Sequence, residues 1–280
     1  MSDARPGATQ RVRITEFADH RPAEREDEVA VEEPLEIRVV PSGGPAFPVA
    51  VTMRTPGHDF ELAAGFALSE GLVRGREGIA HVSYCTDPEE EQAFNVVNLA
   101  LAPGVPFDPD AFRRNVYTSS SCGICGKATL DRVRATIGRP PVGEFRVTSA
   151  VLEDLPERLR AAQRGFDRTG GVHASGLFRP DGTLLLVRED VGRHNALDKL
   201  VGARLLDGKL PDSGTVLLVS GRACFELVQK AAVAGIPFLA AVGAPTHLAI
   251  ELAEEQGMTL VGFLRRGRCN VYAGRTRLAD

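Results

Sequence analysis

Hydrophobic and polar positions change their period several times along the chain, and each change predicts an element. Leu35, Ile37 and Val39 alternate with polar neighbours over 35–40. Residues 47–53 follow after the loop Pro41-Ser42-Gly43-Gly44-Pro45, which predicts a two-stranded hairpin. Phe60, Ala63, Ala64 and Ala67 then recur at helical spacing and run into Gly71, a helix stop. Strands are predicted over 79–84 and 94–101, so the first part reads as a small α+β unit. The proline-punctuated stretch 103–109 is a place for a boundary.

Beyond it, helical spacing predicts helices over 127–137 and 152–166. Strands over 172–178 and 183–187 are joined by Pro180-Asp181-Gly182, a hairpin signal. The remainder alternates: helix 193–206, strand 215–219, helix 223–234, strand 237–242, helix 246–256, then strands 259–264 and 270–272. Apolar runs such as Val216-Leu217-Leu218-Val219 between helices predict an α/β arrangement, with a sheet covered on both faces. Residues 1–28, dense in Arg, Asp, Glu and Pro, are expected to be a mobile charged tail. The expected organisation is therefore a tail at 1–28, an α+β domain at 29–117, a cysteine loop at 118–127 and an α/β domain at 128–280.

Composition adds exclusions. A net charge of −4 gives no support to a role coating nucleic acid. Neither an apolar signal region nor a run of about 18 apolar residues is found, so no membrane span is expected and the cytoplasm is the default compartment. Five cysteines, an odd number, disfavour a disulfide framework and favour chemistry or burial.

The chemistry gathers at Thr118-Ser119-Ser120-Ser121-Cys122-Gly123-Ile124-Cys125-Gly126-Lys127. A thiol is nucleophilic as thiolate, and a helix start, a nearby lysine and a Cys-x-x-Cys arrangement each lower its pKa. Structural zinc would need a second ligand pair, which is missing, so its ligands would have to be scattered residues such as Cys85 or His173. Zinc deaminases place proline before their Cys-x-x-Cys and H-x-E upstream; here Ser121 precedes the pair and no H-x-E stands before it. Thioredoxin-like exchange would place the pair after a first βαβ strand, which is not its position here. Sulfur-centred covalent chemistry by Cys122, with or without Cys125, remains, and a persulfide carrier fits it. The serines and glycines suit a loop that visits a donor and then a ligand site.

Three strand ends carry Gly-Arg pairs: Gly192-Arg193-His194, Ser220-Gly221-Arg222, and Arg265-Arg266-Gly267-Arg268. Ligands of open α/β sheets sit beyond the carboxyl ends of strands, helix starts offer free N–H groups to anions, and arginine adds a bidentate donor. These turns predict a phosphate-rich ligand, a nucleotide, although none is a Walker loop or a full G-x-G-x-x-G. His194 is placed to orient a ligand, move a proton or serve structurally. Glu189 and Asp190 are read as acceptors for a base or ribose, or as caps of the helix that follows them. His173 is read as a core residue, Cys85 and Cys224 as buried small hydrophobes, and Cys269 as ambiguous.

Taken in order, Ser120-Ser121-Cys122-Gly123-Ile124-Cys125-Gly126, the run from Arg188 to Lys199, Ser220-Gly221-Arg222 with Val228-Gln229-Lys230-Ala231, and Leu260-Val261-Gly262-Phe263 through Gly267-Arg268 resemble the formate dehydrogenase accessory sulfurtransferase family (FdhD family). The resemblance implies a cytoplasmic protein, a homodimer, whose second domain is cytidine-deaminase-like. It implies receipt of sulfur from a cysteine desulfurase and transfer to the molybdenum bis(molybdopterin guanine dinucleotide) cofactor, in the service of formate dehydrogenase. Cys122 then matches the persulfide carrier and Cys125 its partner; on local chemistry, Lys127 with the helix start is read as stabilising the thiolate. Phe263, Leu264, Arg265, Arg266, Gly267 and Arg268 match the cofactor-binding turn, where a GDP-like guanine nucleotide is also expected. Cys224 and Cys269 depart from the family pattern, and no residue is assigned to a metal. Two alternatives stand beside this reading: a cofactor chaperone without chemistry, and a zinc-stabilised nucleotide-binding module.

Overall fold

The computed structural model of the chain describes residues 7–85, 94–109, 112, 136–138 and 140–280. The cysteine stretch at 118–127, with Cys122 and Cys125, lies outside the described residues, as does most of the helix expected over 127–137.

Part of the expected tail is ordered into secondary structure. β1 (Thr9–Ala18) and β2 (Arg21–Ala30) form an antiparallel hairpin. The turn residues Asp19 and His20 both adopt left-handed φ, 49° and 62°, which suits the right-handed twist of a tight hairpin. Opposite charges face each other across it, Arg11 against Glu28 and Arg13 against Glu26, so the charge density that reads as a tail is also a cross-strand pairing pattern. Glu28 anchors the hairpin to the body through Arg168.

The first sheet has the order β4-β3-β6-β5, from β3 (Glu33–Val40), β4 (Phe47–Arg54), β5 (Ile79–Tyr84) and β6 (Val96–Leu101). Leu35, Ile37 and Val39 are buried, as their alternation predicts. Helix α1 (Asp59–Ser69) belongs to this part.

The second sheet is six-stranded, in the order β13-β12-β11-β10-β8-β9. Its strands are β8 (His173–Phe178), β9 (Leu184–Asp190), β10 (Val216–Val219), β11 (Phe238–Ala241), β12 (Thr259–Arg265) and β13 (Arg268–Ala273). Strands β10, β11 and β12 are parallel neighbours, while β8, β9 and β13 pair antiparallel. A small parallel pair, β7 (Val147–Thr148) with β14 (Leu278–Ala279), closes the end of the chain. The helix expected over 152–166 is two helices, α2 (Ser149–Ala162) and α3 (Arg164–Thr169), separated at Gln163. Helices α4 (Arg193–Leu206), α5 (Phe225–Val233) and α6 (His247–Glu255) follow.

Both faces of this mixed α/β sheet are covered. Val216 and Leu218 pack with Leu152, Leu155 and Leu159 of α2, whereas Leu217 and Val219 face the cluster containing Leu197, Leu200 and Val228. That second cluster also holds Leu35, Leu62 and Leu99, so the first sheet and the second share one buried core. The join is α1 against α4, which cross through glycines. A Cβ on Gly65 would fall 1.9 Å from the Asp198 carbonyl oxygen, and one on Gly202 would fall 1.8 Å from the Glu61 carbonyl oxygen.

Candidate functional site

Much of the run from Arg188 to Lys199 joins the two sheets. Asp190 is fully buried and pairs with Lys199 at 2.7 Å. Its carboxylate also accepts the N–H of Thr55 at 3.1 Å, of Gly192 at 2.8 Å and the Asn195 amide at 3.2 Å. Asp198 accepts Lys230 at 2.8 Å and Ser69 at 3.0 Å. Such buried charges are tolerated because each is paired and hydrogen-bonded. Glu189 caps α3, accepting Gly165 N–H at 2.8 Å and Phe166 N–H at 2.9 Å. Glu189 therefore caps an earlier helix rather than the one that follows it, α4, which has no side-chain cap, and Asp190 is held in a buried pair.

Because β10, β11 and β12 are parallel, their carboxyl ends share one edge, and two of the Gly-Arg turns meet there. Ser220 Oγ accepts the Ala174 N–H at 2.9 Å. Gly243 donates to the Gly221 carbonyl at 2.9 Å, and Phe263 donates to the Gly243 carbonyl at 3.0 Å, tying three strand ends together. A Cβ on Gly243 would fall 2.9 Å from the Gly221 oxygen, so the strand ends approach this closely only with glycine at that position. Gly192 is the residue from which α4 starts, and Arg193 stands beside Gly221. The Nε of Arg193 is buried with no hydrogen-bond partner among the described residues, and Arg222 is exposed.

The third turn lies further along the edge and is held by α2. Gly267 N–H donates to Glu153 at 2.9 Å, and Arg266 lies 3.7 Å from Glu157. Phe263, Arg265, Arg266 and Arg268 are exposed, but Leu264 is fully buried in the core beneath α2. Leu264, expected among the ligand contacts, is therefore a packing residue. His173 also differs from expectation: it opens β8 at this edge, half-buried, and lines a cavity of about 560 Å³ with Arg160, Phe166, Val191 and Ser220. Burial pushes its imidazole below the ordinary value, with Arg193 adding to the effect.

The largest departure concerns Cys224. It is a half-buried polar contact residue, standing at the start of α5 with Sγ 3.2 Å from His194 Nε2. The same Nε2 lies 2.8 Å from Glu226 Oε2. Burial alone would raise the Cys224 thiol, yet His194, the Leu227 N–H and Arg193 outweigh it and bring it to about 7. Burial would lower His194, but Cys224 and Glu226 carry it up to about 9. Cys224 and Glu226 border a cavity of about 390 Å³ lined also by Arg193, Phe225 and Thr246. The rule that a helix start activates a thiol, applied above to the sequence around Cys122, applies to Cys224 in the structure. Its proximity to His194, thirty positions away, is a tertiary fact.

The sequence model of the FdhD/NarQ family matches residues 30–279. The chain is 54% identical over 276 residues to the sulfur carrier protein FdhD of Streptomyces coelicolor, covering 97% of this chain and 96% of that one. It is 50% identical over 278 residues to the sulfur carrier protein FdhD of Mycobacterium tuberculosis, covering 97% and 99%. A solved structure from Desulfotalea psychrophila, described as a formate dehydrogenase accessory protein, matches with a TM-score of 0.74 at 22% identity. That match covers 97% of this chain and 100% of the other, and supports the fold alone. With a family match running from the end of the first hairpin to the penultimate residue, and relatives at half identity along nearly their whole length, the chain belongs to the FdhD/NarQ family.

Proposed function

We propose that the protein is a cytoplasmic, homodimeric sulfurtransferase that carries sulfane sulfur as a persulfide on Cys122. The donor is a cysteine desulfurase, and the acceptor is the molybdenum bis-guanine-dinucleotide cofactor destined for formate dehydrogenase. The observation that carries this reading is the near full-length likeness to proteins named sulfur carriers, in a chain that has the Cys122-x-x-Cys125 pair. A cytidine-deaminase-like architecture of the second part belongs to the same reading.

In the loading step the Cys122 thiolate attacks the outer sulfur of the desulfurase persulfide. The S–S bond breaks and the desulfurase cysteine leaves as thiolate. In the unloading step the Cys125 thiolate attacks the Cys122 sulfur, expelling the outer atom as hydrosulfide and closing a disulfide. The molybdenum cofactor is here a substrate, and its diphosphates suit the glycine-bounded strand ends. Arg193 supports this, since its buried Nε, without a partner among the described residues, is costly until an acceptor reaches it. A GDP-like nucleotide is expected to bind the same turns.

Mass spectrometry after incubation with a cysteine desulfurase and cysteine tests the carrier. One added sulfur on Cys122 or Cys125 is the expected result, and its absence from both overturns the proposal. A Cys122→Ala, Cys125→Ala variant should fail to support formate dehydrogenase, whereas a chaperone without chemistry would still do so.

A further inference from the structure

We propose that His194, Cys224 and Glu226 form a binding site for a divalent cation of the zinc class. The sulfur-transfer reading assigns no role to Cys224 or Glu226, and the site stands independently of it.

Nε2 of His194, Sγ of Cys224 and a carboxylate oxygen of Glu226 all lie within 4.8 Å of one another. The pairwise approaches to Nε2 are 3.2 Å from sulfur and 2.8 Å from oxygen. Bonds of about 2.0 Å to nitrogen and oxygen and about 2.3 Å to sulfur, at tetrahedral angles, place donor atoms roughly 3.3–3.6 Å apart. The two distances to Nε2 reach that spacing by opening a few tenths of an ångström, and the sulfur–oxygen separation, at most 4.8 Å, exceeds it by no more than about 1.2 Å.

The alternative, a catalytic relay of thiol, imidazole and carboxylate, does not match the contacts. A relay uses both ring nitrogens, one toward the nucleophile and the other toward the carboxylate. Here sulfur and carboxylate converge on the same Nε2, which carries at most one proton. Three donor atoms gathered within 4.8 Å of one another suit a shared cation instead.

The donor set selects the cation. A thiolate, an imidazole and a carboxylate suit zinc and its borderline neighbours, whereas magnesium and calcium take oxygen ligands. Thiolate and carboxylate together balance a dication. Two helix starts hold the donors, α4 contributing His194 and α5 contributing Cys224 and Glu226. Both helices rest on the shared core. Three protein ligands leave a fourth position, and it opens on the cavity of about 390 Å³ beside Arg193. An open fourth position marks a site that exchanges ligands rather than a closed structural one. With Arg193 alongside, the exchangeable ligand is water or an anion.

The test uses the full chain carrying Cys122→Ala and Cys125→Ala, so that the other cysteine pair cannot contribute. After chelator treatment the protein is titrated with zinc against a chromophoric chelator, and separately with cobalt, whose thiolate charge-transfer band reports sulfur ligation. One equivalent should bind, with the cobalt band present. Cys224→Ser should remove the band, and His194→Ala and the half-exposed Glu226→Gln should each weaken zinc at least about tenfold. No stoichiometric binding overturns the proposal. So does binding that survives Cys224→Ser and Glu226→Gln unchanged, or binding that requires Cys122 and Cys125.

Discussion

Replacing Gly202 with alanine tests the crossing that joins the two sheets. The added methyl would sit 1.8 Å from the Glu61 carbonyl oxygen and 2.7 Å from the Gly65 nitrogen. Carbon–oxygen contacts settle near ~3.3 Å, so α1 and α4 must separate by roughly 1.5 Å. Overpacking of a dense interior costs about 1–3 kcal/mol. The separation also pulls on the 3.0 Å bond from Ser69 to Asp198 and the 2.7 Å contact from Arg188 to Glu61. A buried group left without its partner costs about 1–3 kcal/mol more. Against this, exchanging glycine for alanine inside a helix favours folding by about 1 kcal/mol. The sum is a loss of about 1–5 kcal/mol, a large share of the ~5–15 kcal/mol that stabilises a typical domain. Urea denaturation should show a lower midpoint with an unchanged slope. Gly214→Ala is the control, because a Cβ there meets nothing within 4 Å. A Gly202→Ala midpoint equal to or above wild type would show that helix propensity outweighs the contact, and the close crossing would be refuted.

Two further outcomes follow from the same structure. Arg222→Ala and Arg268→Ala should each weaken guanine nucleotide binding by about 10–100-fold, the worth of a lost charge-assisted bond to phosphate; unchanged calorimetric affinity in both would refute the ligand edge. Burial alone would raise the Glu61 carboxyl, but Arg188, with His58, brings it from 4.5 to about 2. A depressed carboxyl stabilises the fold above its unfolded value and loses that contribution as pH falls through the folded one. The stability gap between wild type and Glu61→Gln should therefore be full above pH 4.5 and close as pH approaches about 2; a gap that does not vary with pH would remove the ion pair from the account.

Most elements were legible because their periods are local. The helix expected from 193 begins at Arg193, and the strands expected over 79–84 and 215–219 are found as Ile79–Tyr84 and Val216–Val219. The misreadings come from charge and from side-chain partners. Residues 9–28 look like a tail because few apolar positions recur, yet their charges pair across a hairpin only once the strands lie side by side. Cys224 looks like a small hydrophobe among Ala223, Phe225 and Leu227, and its partner His194 stands on another helix. Leu264 looks like a ligand contact because it stands between Phe263 and Arg265, and strand alternation turns it inward.

Local order along the chain was thus enough to identify strands, helices, the Cys122-x-x-Cys125 pair and the glycine-arginine turns, since each depends on spacing between near neighbours. Tertiary packing alone decided which of those turns meet. The parallel run of β10, β11 and β12 brings strand ends to one edge, and Gly65 with Gly202 lets α1 and α4 cross closely enough for the two sheets to share a core. It also set His194 against Cys224 and Glu226. Nothing in the spacing of these residues announces that meeting, because it depends on the directions from which two helix starts leave the same sheet edge.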